Sequence, residues 1–252
     1  MQQHLFIITG ASRGMGLALA QQLILPDNTL LCISRQANAS LAELAERQNV
    51  SLTQWQADLN DAAPIAAKLQ TWLGEQPLAF DRVTLVNNAG VIPHIGPLSD
   101  VPAAEISRAM RVGIEAPMLL TAAFLQATAT WRIPKKVLNI SSGLGRRAMA
   151  AQAAYCAAKA AMDQFTRCVA LEEASKPHGA KVCSLAPGVI DTDMQHQLRG
   201  AADAQFPDKA AFVGMKENGS LTSPFEAADR LIAYLTRSDF GSNPVADVRD
   251  VA

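Results

Sequence analysis

The stretch that decides the fold runs from His4 to Leu23, HLFIITGASRGMGLALAQQL. Leu5, Phe6, Ile7 and Ile8 are apolar without alternation, the pattern of a strand buried on both faces. Gly10, Gly14 and Gly16 then form a turn that opens an apolar helix. Glycines let a backbone come close to a phosphate, and a helix N-terminus offers it free N–H groups and a positive dipole end. A strand, a glycine turn and a helix in this order predict a dinucleotide site. The spacing is Gly-x-x-x-Gly-x-Gly rather than Gly-x-Gly-x-x-Gly.

The same alternation continues along all 252 residues. TLLCISR (29–35), VSLTQWQ (50–56), RVTLVNNAG (82–90), KKVLNISS (135–142) and AKVCSLAPG (180–188) read as strands, separated by Ala- and Leu-rich helices. Apolar strands joined through helices predict a parallel sheet covered on both faces, a doubly wound α/β fold. No repeat, low-complexity tract or Gly/Ser linker divides the chain, so 1–252 reads as a single domain. The polar segment after the sixth strand, QHQLRGAADAQFPDKAAFVGMKENGSLTSP, is broken by Gly and Pro. We expect a lid over a site at about 195–222, or else a mobile surface insertion.

Charge excludes some partners. With 22 basic residues against 23 acidic ones and a net charge of -1, nothing recruits nucleic acid or an anionic membrane. No apolar run approaches the ~20 residues of a membrane span, and MQQHLFIITG lacks the features of a signal peptide, so a cytoplasmic location is expected. Cys32, Cys156, Cys168 and Cys183, like His4, His94, His178 and His196, are scattered without metal-ligand spacing, and no metal site is expected.

The second strand ends in Ser34 and Arg35, where an NAD-binding chain usually carries an acid for the ribose hydroxyls. A guanidinium there pairs instead with a 2′-phosphate, and Arg13 of the glycine turn can reach the same group, which points to NADP(H). Asp58 follows the third strand, placed to accept from an adenine amino group. Asn87 to Gly90, NNAG, follows the fourth, at a strand end where open α/β sheets bind ligands. Ser142 ends the fifth strand thirteen residues before Tyr155, and Tyr155 and Lys159 are four apart, on one helix face. Serine and phenol can both donate to one carbonyl oxygen, and a neighbouring ammonium lowers the phenol pKa from its usual ~10.

Together, TGASRGMG, NNAG, the serine of NISS, YCAAK and APGVIDTDM resemble the short-chain dehydrogenase/reductase family in order and spacing, over essentially the whole chain. The resemblance implies a Rossmann-type sheet. It further implies an oxidoreductase acting on CH-OH or C=O, in which Ser142 orients a substrate carbonyl, Tyr155 is the general acid and Lys159 holds the ribose and tunes the tyrosine. By the same resemblance the cofactor site comprises Gly10, Ser12, Arg13, Gly14, Met15, Gly16, Arg35, Asp58, Asn88, Ala89, Gly90, Tyr155, Lys159, Pro187, Gly188, Val189 and Thr192. One position departs from the family pattern: Gly113, in MRVGIEAPMLL, stands where many members place an asparagine that serves a proton relay.

The C-terminal third is similar to the tail of sepiapterin reductases and bacterial benzil reductases, and implies reduction of a 1,2-dicarbonyl or a pterin side-chain ketone. Aligned on SDF and the terminal aspartate, Asp247 falls where a pterin would be anchored. Met149, Ala150, Met194, Leu198 and Phe206 are candidates for an apolar substrate wall. By resemblance a homodimer or homotetramer is expected, paired through the helices carrying MRVGIEAPMLL and YCAAKAAMDQF. Two alternatives stay open: an NADPH-binding sensor with little turnover, and an NADP-dependent alcohol dehydrogenase.

Overall fold

The sequence forms a seven-stranded, wholly parallel sheet in a computed structural model that describes residues 3–76 and 79–250. Strands β1 (His4–Thr9), β2 (Asn28–Ser34), β3 (Ser51–Gln56), β4 (Arg82–Asn87), β5 (Lys135–Ile140), β6 (Lys181–Ala186) and β7 (Val245–Asp247) lie in the order β3-β2-β1-β4-β5-β6-β7. The chain winds outward from β1 in one direction and from β4 in the other. Between the carboxyl ends of β1 and β4 the crossovers part, leaving the crevice in which such sheets bind ligands.

Helices cover both faces. On one, α1 (Gly14–Gln22), α2 (Ala39–Arg47) and α9 (Pro224–Thr236) close a core that includes Phe6, Ile8, Leu19, Leu30, Leu138 and Leu231. On the other, α3 (Ala63–Gly74), α5 (Ala116–Ala127) and α6 (Ala153–Ala174) close a second core with Leu5, Ile7, Leu69, Leu85, Leu120 and Phe124. Leu5 and Ile7 serve one core and Phe6 and Ile8 the other, which is why β1 carries no polar alternation. These strands, the helices and the Rossmann-type architecture match the sequence reading.

Two features differ from it. β7 was not foreseen: three residues beside Pro244 carry too little periodicity to read, yet Ser184 to Ala186 pair with Val245 to Asp247. The polar segment after β6, for which the sequence reading gives no elements, is largely helical. It forms α7 (Asp193–Gly200) and α8 (Lys209–Glu217); Leu198 of the first, Phe212 of the second and Phe206 between them make a third small cluster with Ile95. Between α4 (Ala103–Met110) and α5 the helix widens into a π turn over Arg111–Glu115 that contains Gly113.

Candidate active site

The glycine turn owes its sequence to crowding as much as to openness. Gly10 and Gly14 have φ of +70° and +56°, a region that disfavours side chains. A Cβ on Gly16 would stand 2.3 Å from the Gly10 carbonyl oxygen and 2.4 Å from Asn88 Nδ2. The turn is held across the crevice by β4: Asn88 Nδ2 donates to Thr9 O at 2.8 Å, while the backbone N–H groups of Asn88 and Ala89 donate to Thr9 Oγ1 at 2.9 and 3.0 Å. Asn87 bonds inward, donating to Thr121 and to Asn139. The two asparagines of NNAG thus lock β1, β4 and β5 together, a structural duty that reading the segment as a ligand turn missed. No side chain caps the N-terminus of α1, so its first N–H groups face the crevice without a side-chain partner.

A cavity of about 500 Å3 opens at this crevice. Its wall includes Gly10, Ser12, Arg13, Gly14, Met15, Gly16, Arg35, Asp58, Asn88, Ala89 and Gly90 at one side, and Pro187, Gly188, Val189 and Thr192 after β6. Ser142, Tyr155 and Lys159 line the same cavity. Asp58 also caps a short turn, accepting from Asn60 N at 3.0 Å. Arg35 is exposed, whereas Arg13 donates to Asp193 of α7 at 2.7 Å, a solvated pair bridging the glycine turn and α7.

Tyr155 and Lys159 come from the first turns of α6, and Ser142 from the end of β5. Lys159 is buried; its Nζ donates to Ile140 O at 2.6 Å and sits 5.8 Å from the centre of the Tyr155 ring. Burial pulls the Lys159 amine down to about 8, against the opposing charge of Asp163. Burial raises the Tyr155 phenol above its ordinary value, while the Ser142 hydroxyl pulls it the other way. Both shifts have one cause, since a dry site disfavours either charged form. The arrangement can hold a carbonyl oxygen between two hydroxyl donors and deliver a proton to it.

Of the proposed apolar wall, Met149, Met194 and Leu198 line the cavity. Phe206 is buried behind them in the third cluster, and Phe212 takes its place at the wall; Ala150 is not among the lining residues. Asp247 does not line the cavity either. Its carboxylate accepts from Arg249 Nε at 2.8 Å, Arg249 Nη2 at 2.6 Å and the Arg249 backbone N–H at 3.0 Å, and this pairing holds it below the usual carboxylate range. Arg249 does line the cavity, its Nη2 lying 3.9 Å from where a Cβ on Gly143 would be. Its only sequence signal was a charge two residues beyond Asp247. Gln152, buried one turn before Tyr155, also lines the cavity and was not foreseen.

A family model described as short chain dehydrogenase matches residues 4–203. A benzil reductase ((S)-benzoin forming) of Bacillus cereus is 35% identical over 242 residues, covering 95% of this chain and 96% of the relative. A sepiapterin reductase of Xenopus laevis is 30% identical over 257 aligned positions, covering 98% and 95%. A solved short-chain dehydrogenase/reductase from Burkholderia vietnamiensis is 35% identical, with a TM-score of 0.67 and 99% of each chain covered.

Proposed function

The chain belongs to the short chain dehydrogenase family, and from that membership we propose that it is an NADPH-dependent reductase of a ketone flanked by a second carbonyl, either a 1,2-dicarbonyl or a pterin side-chain ketone. The observation that carries this reading is that Ser142, Tyr155 and Lys159 share one cavity with the glycine turn and Thr192. The residues present suit the cofactor: the uncapped N-terminus of α1 would hold a pyrophosphate, Thr192 a carboxamide, and Arg35 and Arg13 a 2′-phosphate, with no acid at the end of β2 to repel it. When bound, the nicotinamide supplies the hydride.

The chain's own residues do the rest. Ser142 donates a hydrogen bond to the substrate carbonyl oxygen and fixes its orientation. Tyr155 donates to the same oxygen and gives up its proton as the alkoxide forms, with the Lys159 ammonium stabilising the phenolate left behind. Met149, Met194 and Leu198 exclude water from that transfer. Arg249, aimed by Asp247, donates to the second carbonyl. With NADPH bound, Arg13 would leave Asp193 to pair with the 2′-phosphate, and α7 with α8 would serve as the lid of a single-domain subunit in a homodimer or homotetramer.

The test is loss of NADPH absorbance with benzil, sepiapterin and a simple monoketone in parallel, against NADH. Turnover of a dicarbonyl with NADPH is expected well above that with NADH, and above that of the monoketone. Equal rates with both cofactors, or preference for the monoketone, contradict the proposal. The relatives whose names record benzil and sepiapterin reduction support the choice of panel.

A further inference from the structure

Below Tyr155 and Lys159, α6 carries a third ionisable residue that the proposed reaction does not use. Asp163 follows Lys159 by four residues, so the two side chains lie one turn apart on the same helix face. It is 1% exposed. Its Oδ1 accepts hydrogen bonds from Ser141 Oγ, at the end of β5, and from Ser184 Oγ, in β6, both at 2.6 Å. Its Oδ2 accepts no hydrogen bond, is sealed from solvent, and has the Arg146 guanidinium nitrogen Nε 3.7 Å away. The turn at Gly143–Gly145 lies so close that a Cβ on Gly145 would stand 2.8 Å from that oxygen and 2.9 Å from Lys159 O.

Burying a carboxylate is costly unless its charge meets partners. Two hydroxyls fix Oδ1 without neutralising it, which leaves the negative charge to the nearby cations, Arg146 from the turn and Lys159 from α6. The other titratable group packed against it is the Cys183 thiol of β6, pushed up to about 11 by burial and uncharged at neutral pH. Tyr155 lies on the far side of Lys159. Among these groups only Asp163 opposes the loss of charge that burial imposes on the Lys159 amine.

We propose that Asp163 is a positioning residue for the reaction: clamped by Ser141 and Ser184, its carboxylate holds Lys159 in the charged form that the Tyr155 phenol requires. This rests on the roles given above to Tyr155 and Lys159. An Asp163 that only stapled α6 to β5 and β6 would leave the titration of Lys159 alone.

The experiment follows the Lys159 side chain directly, as the 13Cε shift across a pH titration of the ligand-free protein, assigned by Lys159→Met. The Asp163→Asn midpoint is expected to fall by ~1 unit relative to wild type, the effect of removing one close opposite charge. Ser184→Ala, which removes one clamp and keeps the charge, is expected to leave the midpoint in place, and Arg146→Gln to move it up. A midpoint unchanged in Asp163→Asn, or moved as far in Ser184→Ala, overturns the proposal. Should Asp163→Asn fail to fold, Arg146→Gln decides: an upward shift supports the proposal and no shift overturns it. The alkaline limb of kcat/KM for carbonyl reduction is expected to follow the same order. Shifted midpoints in a protein that reduces no carbonyl would refute the functional reading while leaving the hold of Asp163 on Lys159 intact.

Discussion

Individual residues set the chemistry through their burial. Lys159 titrates near 8 because its site is dry, so as pH rises through that value the ammonium is lost before the buried phenol ionises. We therefore predict that kcat/KM for reduction is flat below about 8 and falls above it, and that Lys159→Met removes this limb along with most of the activity. A limb unchanged in that variant would assign it to another group. Arg249 offers a second test: Arg249→Leu should cost a dicarbonyl ~10-fold or more in kcat/KM while sparing a monoketone, since a hydrogen bond to a charged donor contributes ~1.5–3 kcal/mol. Equal losses would remove Arg249 from substrate recognition. Tyr155, Lys159 and Ser142 could be singled out in the sequence because five motifs in register resemble one family; a tyrosine and a lysine four apart would by themselves read as an ordinary helix face, and the structure puts all three on one cavity wall. Arg249 could not be: its place depends on β7 pairing with β6, a register that three residues do not announce.

Elements determine which of these residues can meet. Where the family pattern has an asparagine, Gly113 lies in a π turn, and a Cβ there would stand 2.9 Å from Ala158 Cβ, one residue before Lys159. The glycine thus reflects close approach of the α4–α5 junction to α6. Gly113→Asn is expected to lower Tm and leave kcat no higher, and Gly113→Asn with Ala158→Gly to recover the Tm. Higher turnover in the single variant would show that the amide had merely been lost. The glycine turn has the same logic, and Gly16→Ala should cost ~1–3 kcal/mol by overpacking against Gly10 and Asn88, read from chemical denaturation. At the opposite wall, Asp193→Asn frees Arg13 from a solvated pair that contributes ~0–1 kcal/mol, so KM for NADPH should fall by no more than ~5-fold while KM for NADH stays put. The glycines were visible in the sequence, but the reasons for Gly16 and Gly113 lie in contacts with residues 88 and 158 that no local window contains.

Across the whole molecule, two large cores on either face of the sheet make a frame, and a third small cluster packs α7 and α8 at the cavity wall. The frame was legible because buried parallel strands write their environment as unbroken apolar runs. The small cluster was not: Leu198 and Phe206 read there as substrate wall, and nothing in the polar segment joins them to Phe212 and Ile95 as a core. If 195–222 serves as the proposed lid, Phe212→Ala should expose it to protease and raise KM for the carbonyl more than it lowers kcat, with little change in global Tm; protection equal to wild type would mean that the cluster does not hold this segment. The proposed reaction depends on one proton. Its most direct test is a single-turnover measurement of NADPH oxidation by a dicarbonyl in wild type and Tyr155→Phe, with NADPH affinity measured on both. Turnover lower by a factor of ~100 to ~10,000 at unchanged affinity is predicted, as loss of a general acid requires. Turnover within ~10-fold of wild type would show that the proton comes from elsewhere and that Tyr155 is not the acid.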